Sequence, residues 1–106
     1  MTSQVIRCRV IVSGRVQGVF FRETTRQTAQ AADVAGWVRN LTDGTLESVF
    51  EGPSDVVEQL VDFCRTGPSN ARVDEITVTE ETPTGATTFV FEQTGAPGTN
   101  PPPRPP

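Results

Sequence analysis

A glycine-framed stretch, Ser13-Gly14-Arg15-Val16-Gln17-Gly18-Val19-Phe20-Phe21-Arg22, joins a strand pattern directly to a helix pattern. Upstream, Ile6, Cys8, Val10 and Val12 share one face and Arg7, Arg9 and Ile11 the other, the period of a half-buried strand over residues 5–12. Downstream, Phe21, Thr25, Thr28, Ala29 and Ala32 recur at helical spacing over residues 21–32. That stripe is thin, so the helix must sit close to whatever it packs on. A glycine loop opening into a helix brings unpaired N–H groups and the positive end of the helix dipole to one point, a natural anion site. Arg22, in the first helical turn, adds a guanidinium suited to bidentate contact with phosphate oxygens. The stretch therefore reads as a phosphate cradle, and a cation that opposes the helix dipole is well placed only beside an anion.

The rest of the chain supplies a frame. Asp33 is expected to stop the first helix, because Asp tolerates the left-handed conformation. Residues 36–40, Gly-Trp-Val-Arg-Asn, read as a second strand and Leu46 to Glu51 as a third, with Thr42-Asp43-Gly44 as the hairpin turn. Gly52-Pro53 then opens a helix with Pro at its first position, and Val56, Val57, Leu60, Val61 and Cys64 fall on one face. Gly67-Pro68 ends it. Val73, Ile76 and Val78 mark a strand expected to be irregular near Asp74-Glu75, and Phe89 to Phe91 a short last one. The order β-α-β-β-α-β, with an extra short strand, predicts an α+β fold built from split βαβ units: an antiparallel sheet with both helices on one face. The ordered domain is placed at 1–93. Residues 94–106, rich in Gly and Pro, are expected to form a flexible tail.

The residue inventory limits the chemistry. Nine basic residues, all Arg, face 13 acidic ones for a net charge of −4, which argues against a nucleic-acid partner. No apolar run approaches the ~18 residues of a membrane span, and the N-terminal residues lack a signal-peptide pattern. Cys8 and Cys64 are expected to be buried free thiols, as in a cytoplasmic protein, whether or not they touch. Arg7, Arg9, Arg26 and Arg65 read as surface charges. Histidine is absent, so His-dependent triads and zinc sites are excluded. No lysine follows a glycine to make a Walker loop. A covalent cysteine phosphatase needs Cys-x5-Arg, but that spacing leads from Cys8 to Gly14 and from Cys64 to Asn70. The carboxylates are scattered rather than clustered for metals.

What remains is an anion cradle, an arginine and a neutral polar group, for which Asn40 is the candidate. It ends the second strand on the face of Val38. Its amide donates and accepts at once and can hold a water in line with a bound phosphorus, but it is no base at neutral pH. Such a site releases only a leaving group that needs no proton. A carboxylate meets that condition, which points to acyl phosphates.

Gly14-Arg15-Val16-Gln17-Gly18-Val19-Phe20-Phe21-Arg22 resembles the signature loop of the acylphosphatase family, and Gly36-Trp37-Val38-Arg39-Asn40, with Asp43-Gly44 and Glu51-Gly52-Pro53, resembles its second signature. Gly67-Pro68 with Ala71-x-Val73, and the Phe89–Phe91 ending, match as well, so the likeness covers residues 5–92. It implies a ferredoxin-like sandwich in a small, cofactor-free cytoplasmic enzyme that hydrolyses the carboxyl–phosphate anhydride without a metal. By position, Arg22 is then the phosphate-binding catalytic arginine and Asn40 the water-orienting asparagine. The backbone of Arg15, Val16, Gln17, Gly18, Val19 and Phe20 is assigned to the cradle, with the Arg15 side chain as a structural or rim charge. Asp33 and Leu46 depart from the family's usual glycine and valine, which touches packing rather than chemistry.

The expected partners are a small acyl phosphate and, as competitors, inorganic phosphate or sulfate, with no membrane or nucleic acid, on a monomer. The alternative is a non-catalytic ferredoxin-like module binding an anion or a partner. An RNA-binding version calls for exposed aromatics and a basic sheet face, whereas the first strand shows Arg7, Arg9 and Ile11 outward. Acylphosphatase-like domains also stand at the front of hydrogenase-maturation proteins. Those continue into Cys-x2-Cys motifs where this chain has prolines, so a free-standing enzyme is expected.

Overall fold

A computed structural model describes residues 4–102. The elements are β1 (Val5–Arg15), α1 (Phe21–Ala31), β2 (Ala35–Asn40), β3 (Leu46–Pro53), α2 (Ser54–Thr66), β4 (Arg72–Glu81) and β5 (Phe89–Phe91). One sheet holds all the strands in the order β4-β1-β3-β2-β5, and both helices pack on the same face, the ferredoxin-like α+β arrangement the sequence predicts. The β1–β3, β1–β4 and β2–β3 pairs are antiparallel as expected. β5 departs from that expectation: it joins the free edge of β2 in parallel, so the sheet is mixed.

The core lies between that face and the helices. Cys8, Val10 and Val12 of β1 meet Val38, Leu46 and Phe50, and the helices contribute Phe21 and Ala29 from α1 and Val57, Leu60 and Cys64 from α2. The thin stripe of α1 is closed by Phe21, whose ring meets Phe63 edge-on at 5.8 Å, and by Thr25, fully buried with its hydroxyl donating to Phe21 O. Gly67 ends α2 at φ 69, and a Cβ there would lie 2.5 Å from the Phe21 ring. Both cysteines are free and buried. Burial pushes the Cys64 thiol up to about 12, so it is no nucleophile at neutral pH.

Two boundaries differ from the sequence expectation. β1 does not stop at Val12 but runs to Arg15, because Gly14 and Arg15 pair with Val73 and Arg72 across a bulge opposite Asp74. That bulge is the irregularity expected near Asp74-Glu75. β3 likewise continues to Pro53, which pairs with Val5, so Pro53 caps α2 instead of beginning it. Asp33 does take the left-handed conformation, at φ 59.

The opposite face of the sheet is not the ordinary charged surface expected from Arg7 and Arg9. These residues interleave with Glu47, Glu51 and Glu81 in a half-buried network: Arg7 to Glu51 at 3.1 Å and Glu81 at 3.3 Å, Arg9 to Glu47 at 2.5 Å and Glu81 at 2.7 Å, and Arg39 to Glu47 at 2.8 Å. Glu51 also accepts the N–H groups of Thr84, Gly85 and Ala86, which folds the loop after β4 over the network. The described residues of the expected tail make contacts with the sheet. Gly95 pairs with Leu41 just beyond β2, Thr99 and Asn100 line a hollow with Arg9, Ile11 and Glu47, and Pro101 and Pro102 stand with Trp37 and Arg7. The last expected tail residues, 103–106, lie outside the described residues.

The network predicts an acid dependence of stability. Hydrogen bonds from Arg9 and Arg7 hold Glu81 below its ordinary value. For Glu51, burial works upward but is outweighed by the N–H groups of the 84–86 loop and by Arg7. Groups whose folded pKa is depressed contribute stability that is present above the unfolded value of about 4.5 and lost as pH falls through the folded one. Denaturant titrations are expected to show a lower unfolding midpoint at pH 3.5 than at pH 7, with the gap narrowed in Glu81→Gln.

Candidate active site

The two signature stretches meet at one end of the sheet. A cleft of about 540 Å3 is lined by Val16, Gly18, Phe20, Phe21, Arg22, Glu23, Asn40 and Phe91. β1 delivers its loop here because the Gly14 bulge turns the strand end, and β2 delivers Asn40 as its last residue. The loop is pinned by Gln17, whose Nε2 donates to Leu41 O at 2.8 Å and to Thr45 O at 2.9 Å. The sequence left the role of Gln17 open. In the structure it ties the cradle to the turn that follows Asn40, so the two halves of the cleft share one support.

The loop conformation is the feature an anion site needs. Gly18 has φ 74 and Phe20 φ 62, and among the described residues the N–H groups of Gln17, Gly18, Val19 and Phe20 have no hydrogen-bond acceptor. The first turn of α1 adds its own free N–H groups. Left-handed backbone at a phenylalanine costs roughly 1–2 kcal/mol, and strain of this kind gathers at functional sites.

Arg22 stands in the first turn of α1 on the cleft wall, its guanidinium carbon 5.9 Å from the Phe91 ring. Among the described residues it has no ion-pair partner; the nearby Glu23 carboxylate is taken by Arg26 at 2.7 Å and by Gln27 at 3.1 Å. Arg26, read from the sequence as a surface charge, lies over the Phe91 ring at 4.6 Å, a second cation close to the cleft. Asn40 Oδ1 is buried and has no hydrogen-bond partner among the described residues. Leaving a buried acceptor unpaired costs about 1–3 kcal/mol, so such an atom calls for a function.

Not every predicted residue converges. Arg22, Asn40, Val16, Gly18 and Phe20 line the cleft. Val19 is buried and borders a hollow on the loop's other side, and Gln17 acts through its side chain. Arg15 belongs to β1, pairs with Arg72 and lines the same hollow with Ser69 and Asn70. Phe91 and Glu23 are cleft residues that the sequence did not single out for the site, and β5 brings Phe91 there only through its parallel pairing with β2. Trp37 lies on the other face between the guanidiniums of Arg9, at 5.5 Å, and Arg39, at 5.2 Å. Among the described residues no three His, Cys, Asp or Glu side chains come together as a metal site, and no helix is long and apolar enough to cross a membrane.

The stretch that carries these residues is the one that matches known proteins. The family model described as acylphosphatase matches residues 8–91. A protein named acylphosphatase from Gloeobacter violaceus is 54% identical over 84 residues, 79% of this chain and 90% of its own, and one from Natronomonas pharaonis is 51% identical over 87 residues, 82% and 95%. The crystal structure of acylphosphatase from Bacillus subtilis superposes with a TM-score of 0.78 at 37% identity, over 81% of this chain and 97% of that one. Full-length HypF in its phosphate- and nucleotide-bound form contains a similar unit, with a TM-score of 0.83 at 26% identity over 96% of this chain and 14% of that one. Every residue lining the cleft falls inside the stretch that the family model matches, and the chain belongs to the acylphosphatase family.

Proposed function

We propose that the protein is an acylphosphatase in which Arg22 and the loop amides bind the phosphoryl group and Asn40 orients the attacking water. Family membership supplies the reaction, hydrolysis of the anhydride between a carboxylate and phosphate. The observation that carries the residue roles is Asn40 Oδ1, a buried acceptor without a protein partner in the same cleft as Arg22. An amide oxygen there accepts one hydrogen of a water and leaves the water's lone pair for phosphorus.

In the reaction the water oxygen bonds to phosphorus as the bond to the acyl oxygen breaks, and the carboxylate leaves with the electron pair. Carboxylic acids ionise near pH 4, so the leaving group needs no acid catalyst. A phosphate oxygen takes the water's proton. Charge spread over the three equatorial oxygens of a loose transition state is met by the Arg22 guanidinium and by the N–H groups of residues 17–20.

Val16, Phe20, Phe21 and Phe91 give the cleft an apolar wall. We assign that wall to the acyl group. Phe20 is 76% exposed and spends its left-handed strain on standing there. Phe20→Gly is therefore expected to raise stability by up to about 1 kcal/mol, since glycine adopts the same backbone freely. It is also expected to raise KM for benzoyl phosphate more than for acetyl phosphate.

The function itself is tested by offering the purified protein benzoyl phosphate and a phosphate monoester with an alkoxide leaving group. The proposal expects the first to be cleaved and the second to survive, with inorganic phosphate or sulfate competing and that competition weakened in Arg22→Lys. Anion binding without turnover would favour the non-catalytic module.

A further inference from the structure

Outside the stretch matched by the family model, the chain returns to touch the catalytic strand. β5 ends at Phe91, and Glu92 N–H donates to Val38 O at 2.9 Å. Gly95 then extends the parallel edge: its N–H donates to Asn40 O at 3.2 Å, and its carbonyl accepts from Thr42 N–H at 2.9 Å. The main chain at Asn40 is thus held on one side by Leu46 of β3 and on the other by Gly95. The next contacts fasten the residue just before Asn40. Thr99 O accepts from Arg39 Nη2, while Arg39, 2% exposed, is fixed by Glu47 and stacked on Trp37. Asn100 Oδ1 closes the segment by accepting from Arg9 Nη2 at 3.1 Å.

We propose that residues 95–100 form a positioning strap that fixes the backbone of Asn40 and so aims its amide at the water, with Gly95 as the positioning residue. The proposal rests on the water-orienting role of Asn40 given above. Asn40 closes its strand, where a backbone without partners on both edges frays, and a displacement of 1 Å at a positioning group can cost about 100-fold in rate. Glycine is required at 95 because a Cβ would stand 2.2 Å from Arg39 Nη1, and that guanidinium is already held by Glu47, Thr99 and Trp37. Among the described residues the strap makes no hydrogen bond to Arg22 or to residues 16–20, so the larger part of its effect should fall on the chemical step rather than on phosphate binding.

The test compares the full chain with a truncation after Thr94 and with Gly95→Ala, each alone and combined with Asn40→Ala, measuring kcat, KM and thermal unfolding on acetyl phosphate. Loss of the strap is expected to lower kcat by about 10-fold or more while KM changes by less than about 3-fold. In the Asn40→Ala background, loss of the strap should leave kcat unchanged, because no amide remains to be misaimed. An equal fall in both backgrounds would mean a purely structural role and overturn the proposal, as would an undiminished kcat in the truncated chain. Should the truncation fail to fold, Gly95→Ala decides by the same comparison. Wild-type turnover in Asn40→Ala alone would remove the reading beneath the proposal, and the strap's positioning role with it.

Discussion

Asn40→Ala is expected to lower kcat for an acyl phosphate by about 10²–10³ while leaving the protein folded, the usual cost of deleting one preorganised polar group. The size of the effect follows from where the side chain sits. Its Oδ1 has no protein partner among the described residues, so alanine abandons no hydrogen bond to another group, and stability should hold or rise slightly. KM should move little, because the phosphoryl group is held by the loop and Arg22. Asn40→Asp separates positioning from basicity. The carboxylate is nearly the same shape, but it would place a negative charge beside the incoming phosphate, so it should not rescue turnover at pH 7 and should do better as the pH falls and the group protonates. Steady-state kinetics with a thermal melt on the same samples checks both variants. A large fall in Tm with the loss of rate would place Asn40 in the frame instead of the mechanism.

Gly14→Ala is expected to damage the fold severely. Gly14 has φ 121, and a Cβ there would lie 2.1 Å from Arg72 O and 2.9 Å from Asp74 N, both backbone atoms of the bulge. Neither can swing aside as a side chain end would, so β4 must separate from β1 at the point where β1 delivers the loop. Strained backbone costs on the order of 1–3 kcal/mol, and a broken register adds to it, so a loss of about 3–4 kcal/mol is expected. For a domain of this size that is a fall in Tm of roughly 12–30 °C. Gly18→Ala provides the contrast. No atom lies within 4 Å of its Cβ, so only the left-handed conformation at φ 74 is penalised, at about 1 kcal/mol. Thermal melts of the two variants side by side separate the roles of two glycines that look alike in the motif.

That difference marks what could be read from the letters. The alternation of Ile6, Cys8, Val10 and Val12, the stripe of α2 and the Gly67-Pro68 stop are local signals, and the structure keeps all of them. That Arg22 and Asn40 line one cleft was legible because a loop opening a helix and a polar residue closing a strand are local too, and the family signatures set them in register. Gly14 was misplaced into the loop because its strand partner, Val73, lies far along the chain and a bulge has no letter of its own. Arg7 and Arg9 read as surface charges for the same reason: Glu47, Glu51 and Glu81 come from other strands, and only the sheet order brings them together. The segment after Thr94 has almost no apolar surface to bury. What holds it is backbone pairing with β2 and two arginines, neither of which a hydropathy pattern records.

Hydrolysis of benzoyl phosphate in water enriched in 18O decides which atom the water attacks. A water aimed by Asn40 at phosphorus in the loop must put the heavy oxygen into inorganic phosphate and leave benzoate unlabelled. Label in the benzoate carboxyl group would mean attack at carbon, and it would contradict the roles given to the cradle, Arg22 and Asn40 together.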